Sequence, residues 1–283
     1  MVNIRDLDPS ASPLDYYGSE LRRWREEAKL TQGDLGGIVF CTGSLIGQIE
    51  NARKVPSREF SERIDAALNT GGTFSRLVGL VLRSQLPVWF QEYAEMEARA
   101  TYLSTFQCQL VHGLLQTPAY ARAVLGVEEL PDALDAAVAA RMDRQRVLAR
   151  ENPPVFWVVM DEAVLHREIG GGKVMRDQLA YLLSLRHRPW VEVQVLPFGV
   201  GQHAGMVGSF TLLRFDGDPE IHYSESYDSG HMTANPQVIR ERSVGYARLQ
   251  AEALPPGKSA ALIARVMEER YGNDPEPDGR AVA

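Results

Sequence analysis

Two sets of residues in this 283-residue chain have types and spacings suited to chemistry. The first lies in LTQGDLGGIVFCTGSLIGQIENARKVPS, Leu30 to Ser57, which reads as two short helices about a bend whose middle, FCTGS, carries almost no charge. The chemistry on offer there is hydrogen bonding. Gln48 presents a donor and an acceptor that match the edge of an adenine, Ser44 can donate or accept, and Leu45 offers apolar surface to a thymine methyl. The second set is spread along the chain: His112, Gln116 and Tyr120 in HGLLQTPAY, and His203 in the glycine-flanked loop GVGQHAG. Polar residues in such a loop often serve function. His203 reads equally as a histidine merely exposed to solvent. If functional, the four would share one cleft and bind a partner or effector.

Covalent chemistry finds little support. The chain has no His-Glu-x-x-His, no Gly-x-Ser-x-Gly and no Walker loop. Gly199, Gly201 and Gly205 follow VLPF without the spacing of a phosphate cradle, and EIGGGKV is most simply a helix C-cap and turn. Cys108 and His112 have only a strand end between them. Cys41 and Cys108, the two cysteines, lack metal-knuckle or redox spacing and read as inert buried thiols in a reducing cytosol. The expectation is a protein that is not an enzyme and needs no metal or cofactor. MVNIRDLDPSASPLD has no apolar leader and no run is long enough to span a bilayer, so a cytoplasmic location with no membrane partner is expected.

The elements that must position these groups fall into two textures. With 45% hydrophobic and 24% charged residues the chain can bury a real core, and its length favours two domains. The net charge of -7 excludes a surface that is basic all over but not a local cationic face. Residues 1–76 are nearly balanced, so the acidity lies mainly beyond them. Apolar residues recur at helical spacing through Leu21 and Trp24, Leu35, Ile38 and Val39, Ile46 and Ile49, and Phe60, Ile64 and Leu68. A fifth helix is expected from Phe74 to Arg83. Thr31, Thr42 and Ser57 are placed as N-caps.

Beyond SQLPVW a helix to about Ala100 precedes STFQCQLV, a strand, and Thr117-Pro118 opens a further helix. LPDALDAAVAARMDRQRVLAREN is expected as one helix of roughly five turns. VFWVVMD, VEVQVLPF, SFTLLRF and EIHYSE read as strands, the first two joined by the helix Lys173 to Arg186 in a βαβ crossover, the last two as an antiparallel pair. The fold class is therefore an all-α domain at 15–83 followed by a larger α+β domain with a small mixed sheet at 84–271. Flexible tails are expected at 1–14 and 272–283.

The helix pair resembles the XRE family of helix-turn-helix proteins, the Cro and phage-repressor type, through Thr31, Gln32, Leu35, Ser44, Ile49, Glu50, Pro56 and Ser57. The resemblance implies that the second helix enters the DNA major groove. It further implies that Gln32 binds a phosphate at a helix N-terminus, that Asn51, Arg53 and Lys54 hold the other side, and that Gly43, Ser44, Gly47 and Gln48 face the bases. Here the chain departs from the pattern: glycines stand at 43 and 47, Phe40 replaces the usual turn glycine, and Leu45 takes a position commonly polar. Arg22, Arg23 and Arg25 read equally as a solvated face or as phosphate contacts.

LVHGLLQTPAYARAVL, FWVVMDEAVLHREIGG, VMRDQLAYLL, VEVQVLPFGVGQHAGMVGSFTLLRF and IHYSES together resemble the C-terminal domain of actinobacterial regulators of the WhiJ-like type, over about residues 15–270. That resemblance implies a transcriptional regulator, often encoded beside a small acidic partner protein in an antitoxin-like or developmental pair. A homodimer on double-stranded DNA follows as an expectation. The alternatives are a small-molecule-sensing repressor without a protein partner and a DNA-tethered enzyme.

Overall fold

The computed structural model describes residues 7–226 and 229–272. Most of the tails expected at 1–14 and 272–283, residues 1–6 and 273–283, lies outside the described residues. The first helix already begins at Pro13.

The chain divides into two compact units, residues 1–91 with 130–143, and residues 92–129 with 144–283. The first holds α1 (Pro13–Glu27), α2 (Gln32–Ile38), α3 (Gly43–Glu50), α4 (Arg58–Leu68) and α5 (Thr73–Ser84). Side-chain oxygens of Ser12, Thr31, Thr42 and Ser57 accept backbone N–H donors at the starts of α1 to α4, which is why each helix begins where it does. The apolar stripes converge on one core of Tyr17, Leu21, Leu35, Ile46, Ile49, Phe60, Ile64, Phe74 and Val78.

The single break expected after residue 83 is not what the structure shows. The helix α6 (Val88–Arg99) runs through the first boundary, and α8 (Pro131–Arg144) belongs almost wholly to the first unit. The cause is long-range: Ala139 packs against the first core, Asp135 ion-pairs with Lys54, and Asp143 with Arg58. The α-helix also stops at Arg144 and continues as a 3₁₀ turn over Gln145–Ala149, so the five-turn helix is shorter than expected.

In the second unit a six-stranded sheet has the order β3-β2-β1-β4-β5-β6. The strands are β1 (Tyr102–Gln107), β2 (Val155–Asp161), β3 (Val191–Leu196), β4 (Phe210–Arg214), β5 (Ile221–Glu225) and β6 (Gly230–Thr233). β1, β2 and β3 are parallel, and β4, β5 and β6 run antiparallel beyond β1. The helix α10 (Gly172–Ser184) is the crossover between β2 and β3, as expected. Also present are α7 (Pro118–Leu125), α9 (Ala163–His166), α11 (Pro236–Glu252) and α12 (Pro256–Tyr271). One sheet face carries Phe106, Val159, Leu196, Phe210 and Leu212 against Ile239, Tyr246 and Leu249 of α11. On the other face Tyr93 stacks on Tyr223 with ring centroids 3.8 Å apart, beside the buried ion pair of Glu97 and Arg144 at 2.6 Å. Among the described residues no helix is long and apolar enough to cross a membrane.

Candidate nucleic-acid interface

The two helices around the bend are short, seven and eight residues, so packing must hold them. Glycines allow that packing. A Cβ on Gly36 would lie 2.8 Å from the Cys41 carbonyl oxygen, and one on Gly43 would lie 3.0 Å from Gly33 Cα. Gly47 faces the Gln32 side chain, whose Oε1 would sit 2.9 Å from an added Cβ. The glycines expected at the base edges are thus where α2 and α3 touch. Phe40, in the turn, takes φ 58, the left-handed region that a glycine fills at least cost, and its side chain is 84% exposed.

Glu50, a residue to which sequence reasoning gave no role, organises the polar contacts of this corner. It is fully buried and takes Arg25 in a fork, Nε to Oε1 at 2.5 Å and Nη2 to Oε2 at 3.0 Å. Gln32 Nε2 donates to Oε2 at 2.7 Å, and Arg25 Nη1 reaches back to the Leu30 carbonyl at 2.9 Å. The hydrogen bonds to Glu50 hold the Arg25 guanidinium above its ordinary pKa, against the opposing pull of burial. One carboxylate thereby ties α1, α2 and α3 together. The signal in the sequence was an acid directly after the buried pair Ile46 and Ile49, with an arginine near the end of the first helix to meet it.

Asn51 is buried as well: its Nδ2 donates to the Gly47 carbonyl at 2.6 Å and its Oδ1 accepts from Arg22 Nη2 at 3.1 Å. Gln32 and Asn51, expected on phosphates, are engaged inside the unit. Arg23 pairs with Glu20 and Glu27 on the surface, and Leu45, half-buried, packs against the core. Ser44 and Gln48 remain exposed, four residues apart and so on one face of α3. Arg53 is exposed, and among the described residues its guanidinium has no ion-pair partner. Lys54 is half-exposed, with Nζ 2.5 Å from Asp135 Oδ2.

In the second unit His112, Gln116 and Tyr120 are buried and close a loop. His112 Nδ1 accepts from Leu114 N–H at 3.2 Å, Gln116 Nε2 donates to the Val111 carbonyl at 2.8 Å, and Tyr120 Oη accepts from Val111 N–H at 3.3 Å. The His112 ring packs on Phe156, 5.1 Å between centroids, whereas His203 packs on Phe106 at 5.6 Å. Phe156 pairs with Leu103, three residues from Phe106 along β1, so the two phenylalanines point to opposite sheet faces. The shared cleft expected for the four residues is therefore not formed.

His203 instead anchors a loop. Its Nε2 lies 3.5 Å from Asp161 Oδ2 and its Nδ1 accepts from Gly205 N–H at 3.1 Å. Gly205 sits where an added Cβ would fall 2.2 Å from the Phe106 ring. Phe198 N–H donates to Glu162 at 2.8 Å. Held at these points, the loop leaves Phe198, Met206 and Val207 exposed at 58%, 69% and 83%. Both cysteines are half-buried rather than buried. Burial pushes the Cys41 thiol up, opposite to an activated nucleophile. Cys108 Sγ lies 3.3 Å from Ser209 Oγ.

Two capped helices packed through glycines, with the outer face of the second left open, define a helix-turn-helix domain, and residues 17–74 match the family described as a helix-turn-helix domain. The chain is accordingly a DNA-binding regulator. Residues 90–265, most of its length, match the family described as a domain of unknown function, DUF5753, and the chain belongs to that family. No curated protein and no solved structure matches it.

Proposed function

We propose that this chain is an XRE-type transcriptional repressor or activator of the cytoplasm. In this reading it binds a double-stranded operator as a homodimer, and its second unit receives a protein partner. Base reading falls to Ser44 and Gln48, phosphate binding to Arg53 and Lys54. The observation that carries the reading is the exposure of Ser44 and Gln48 at i, i+4 on a capped, buttressed helix. So few readers provide modest direct specificity, and two such helices about one DNA turn apart would supply the rest.

The partner reading rests on the loop at 198–207, a pinned backbone that keeps three large apolar side chains in water. A small acidic protein, as in the WhiJ-like regulators, suits that role. The reading is non-enzymatic, since His203, Asp161 and Glu162 near this loop each accept a backbone N–H and hold the chain in place. Enrichment from random duplexes by the full chain tests the DNA half: a palindromic site with half-sites about 10 base pairs apart is expected, and no enrichment contradicts it. Native mass spectrometry of the protein from its own host tests the other half. A stoichiometric small protein lost on F198S/V207S supports it, whereas a metabolite-sized increment that survives those changes favours small-molecule sensing.

A further inference from the structure

The helix α8 lies within the span of the second family, yet it packs in the first unit and brings two carboxylates to two cations. Lys54 Nζ and Asp135 Oδ2 are 2.5 Å apart, with both side chains partly in water at 40% and 49% exposure. The Arg58 guanidinium takes Asp143 with two donors, Nη2 at 3.1 Å and Nε closer still. Lys54 stands four residues beyond the end of α3, and Arg58 is the first residue of α4. Both cations therefore flank the chain segment that follows the reading helix, beside exposed Arg53.

A carboxylate fork on arginine and a carboxylate on lysine reproduce the contacts those side chains make to phosphate. Besides these ion pairs, α8 buries only small side chains, Ala136, Ala137, Val138 and Ala140, and Ala139 packs on the first core. An exposed ion pair adds little to such a contact and weakens with salt. We propose that Lys54 and Arg58 are binding residues for DNA backbone phosphate and that α8 is an acidic stand-in for that backbone, so that duplex binding and α8 docking compete. The proposal rests on the reading that α3 meets DNA. It assigns Arg58 to the interface and gives α8 the role of holding the domain in a weaker-binding state.

The test uses the full chain and a random-sequence duplex followed by fluorescence anisotropy across a salt series. D135N should tighten binding several-fold at low salt and steepen the slope of log K against log salt by about 0.9, one phosphate's worth. Adding D143N should steepen it again by a similar amount. Lys54→Gln and Arg58→Gln, added to these variants, should remove the gain. Because Asp135 is exposed, D135N keeps the fold even if freeing the half-buried Arg58 does not. A second readout is hydrogen exchange: duplex should accelerate exchange of the amides of residues 132–143 in the unaltered protein. Equal slopes for D135N and the unaltered protein, or α8 amides indifferent to duplex, overturn the mask while leaving DNA binding standing. No binding by either protein at the lowest salt overturns the DNA reading and the mask with it.

Discussion

In the first unit side-chain amides and a buried carboxylate fix one short helix against another and leave a polar face bare; in the second, similar groups close loops and leave apolar tips bare. Gln32, Asn51 and Glu50 bond inward, and what remains outside α3 is Ser44 and Gln48. His112, Gln116, Tyr120 and His203 also bond inward, and what remains outside is Phe198, Met206 and Val207. The difference teaches that a residue able to do chemistry is not thereby free to do it. A buried polar group needs a partner, and satisfying it can consume the group that sequence reading assigns to a ligand.

The strongest way to break the comparison is at Glu50. Glu50→Ala would remove the buried fork from Arg25, whose side chain is 10% exposed, and leave it only the longer pair with exposed Glu26 at 3.4 Å. A loss of about 3–5 kcal/mol in the first unit is expected from chemical denaturation, with the strand signal of the second unit retained. A loss under about 1 kcal/mol would show that Glu50 does not hold the reading helix.

The second unit has its own stability test in His222, which is buried against Phe210 with no hydrogen bond to Nδ1 among the described residues. Burial, reinforced by Arg242 and His231, lowers its pKa to about 4. A histidine depressed in the folded state favours folding fully above its unfolded pKa of about 6.5. That contribution is lost as pH falls from there towards 4, by at most about 3 kcal/mol. Denaturation midpoints measured between pH 7 and 4 should show the decline, and H222Q should flatten it. A decline unchanged in H222Q would assign it elsewhere.

Smaller effects separate the glycines. Gly36→Ala pushes a Cβ onto the Cys41 carbonyl and should cost about 1–3 kcal/mol. Gly47→Ala meets only the tip of Gln32 and gains helix propensity, so its net effect should stay within about 1 kcal/mol. Equal losses at the two sites would contradict the packing described for α2 and α3. Smaller again, Phe40→Gly relieves a left-handed backbone without losing packing and should raise the thermal midpoint, worth about 1 kcal/mol. If it lowers DNA affinity instead, Phe40 is part of the interface.

Local signals were legible: the caps at Thr31, Thr42, Ser57 and Thr117, the helical stripes except for Ile38, which is exposed, and the βαβ crossover followed by antiparallel strands all stand in the structure where the residues put them. What could not be read was set by distance along the chain. The pairing of Lys54 with Asp135 spans 81 residues and that of Arg58 with Asp143 spans 85, and no periodicity in an alanine-rich helix reports such a partner. The opposite-face placement of His112 and His203 depended on strand parity between Leu103 and Phe106, which requires the register of β1 against β2. β6, four residues beginning with a glycine, has too little pattern to read as a strand.

The account turns on α3 as the reader of bases, and one comparison tests that most directly. Binding of Gln48→Ala and of Arg53→Ala would each be measured on the operator enriched by the full chain and on a scrambled duplex at the same salt. Loss of the Gln48 amide should cost about 1–3 kcal/mol on the operator and almost nothing on the scrambled duplex, whereas Arg53→Ala should weaken both alike and flatten the salt slope by about one phosphate. Equal losses on the two duplexes for Gln48→Ala would contradict the role given to α3.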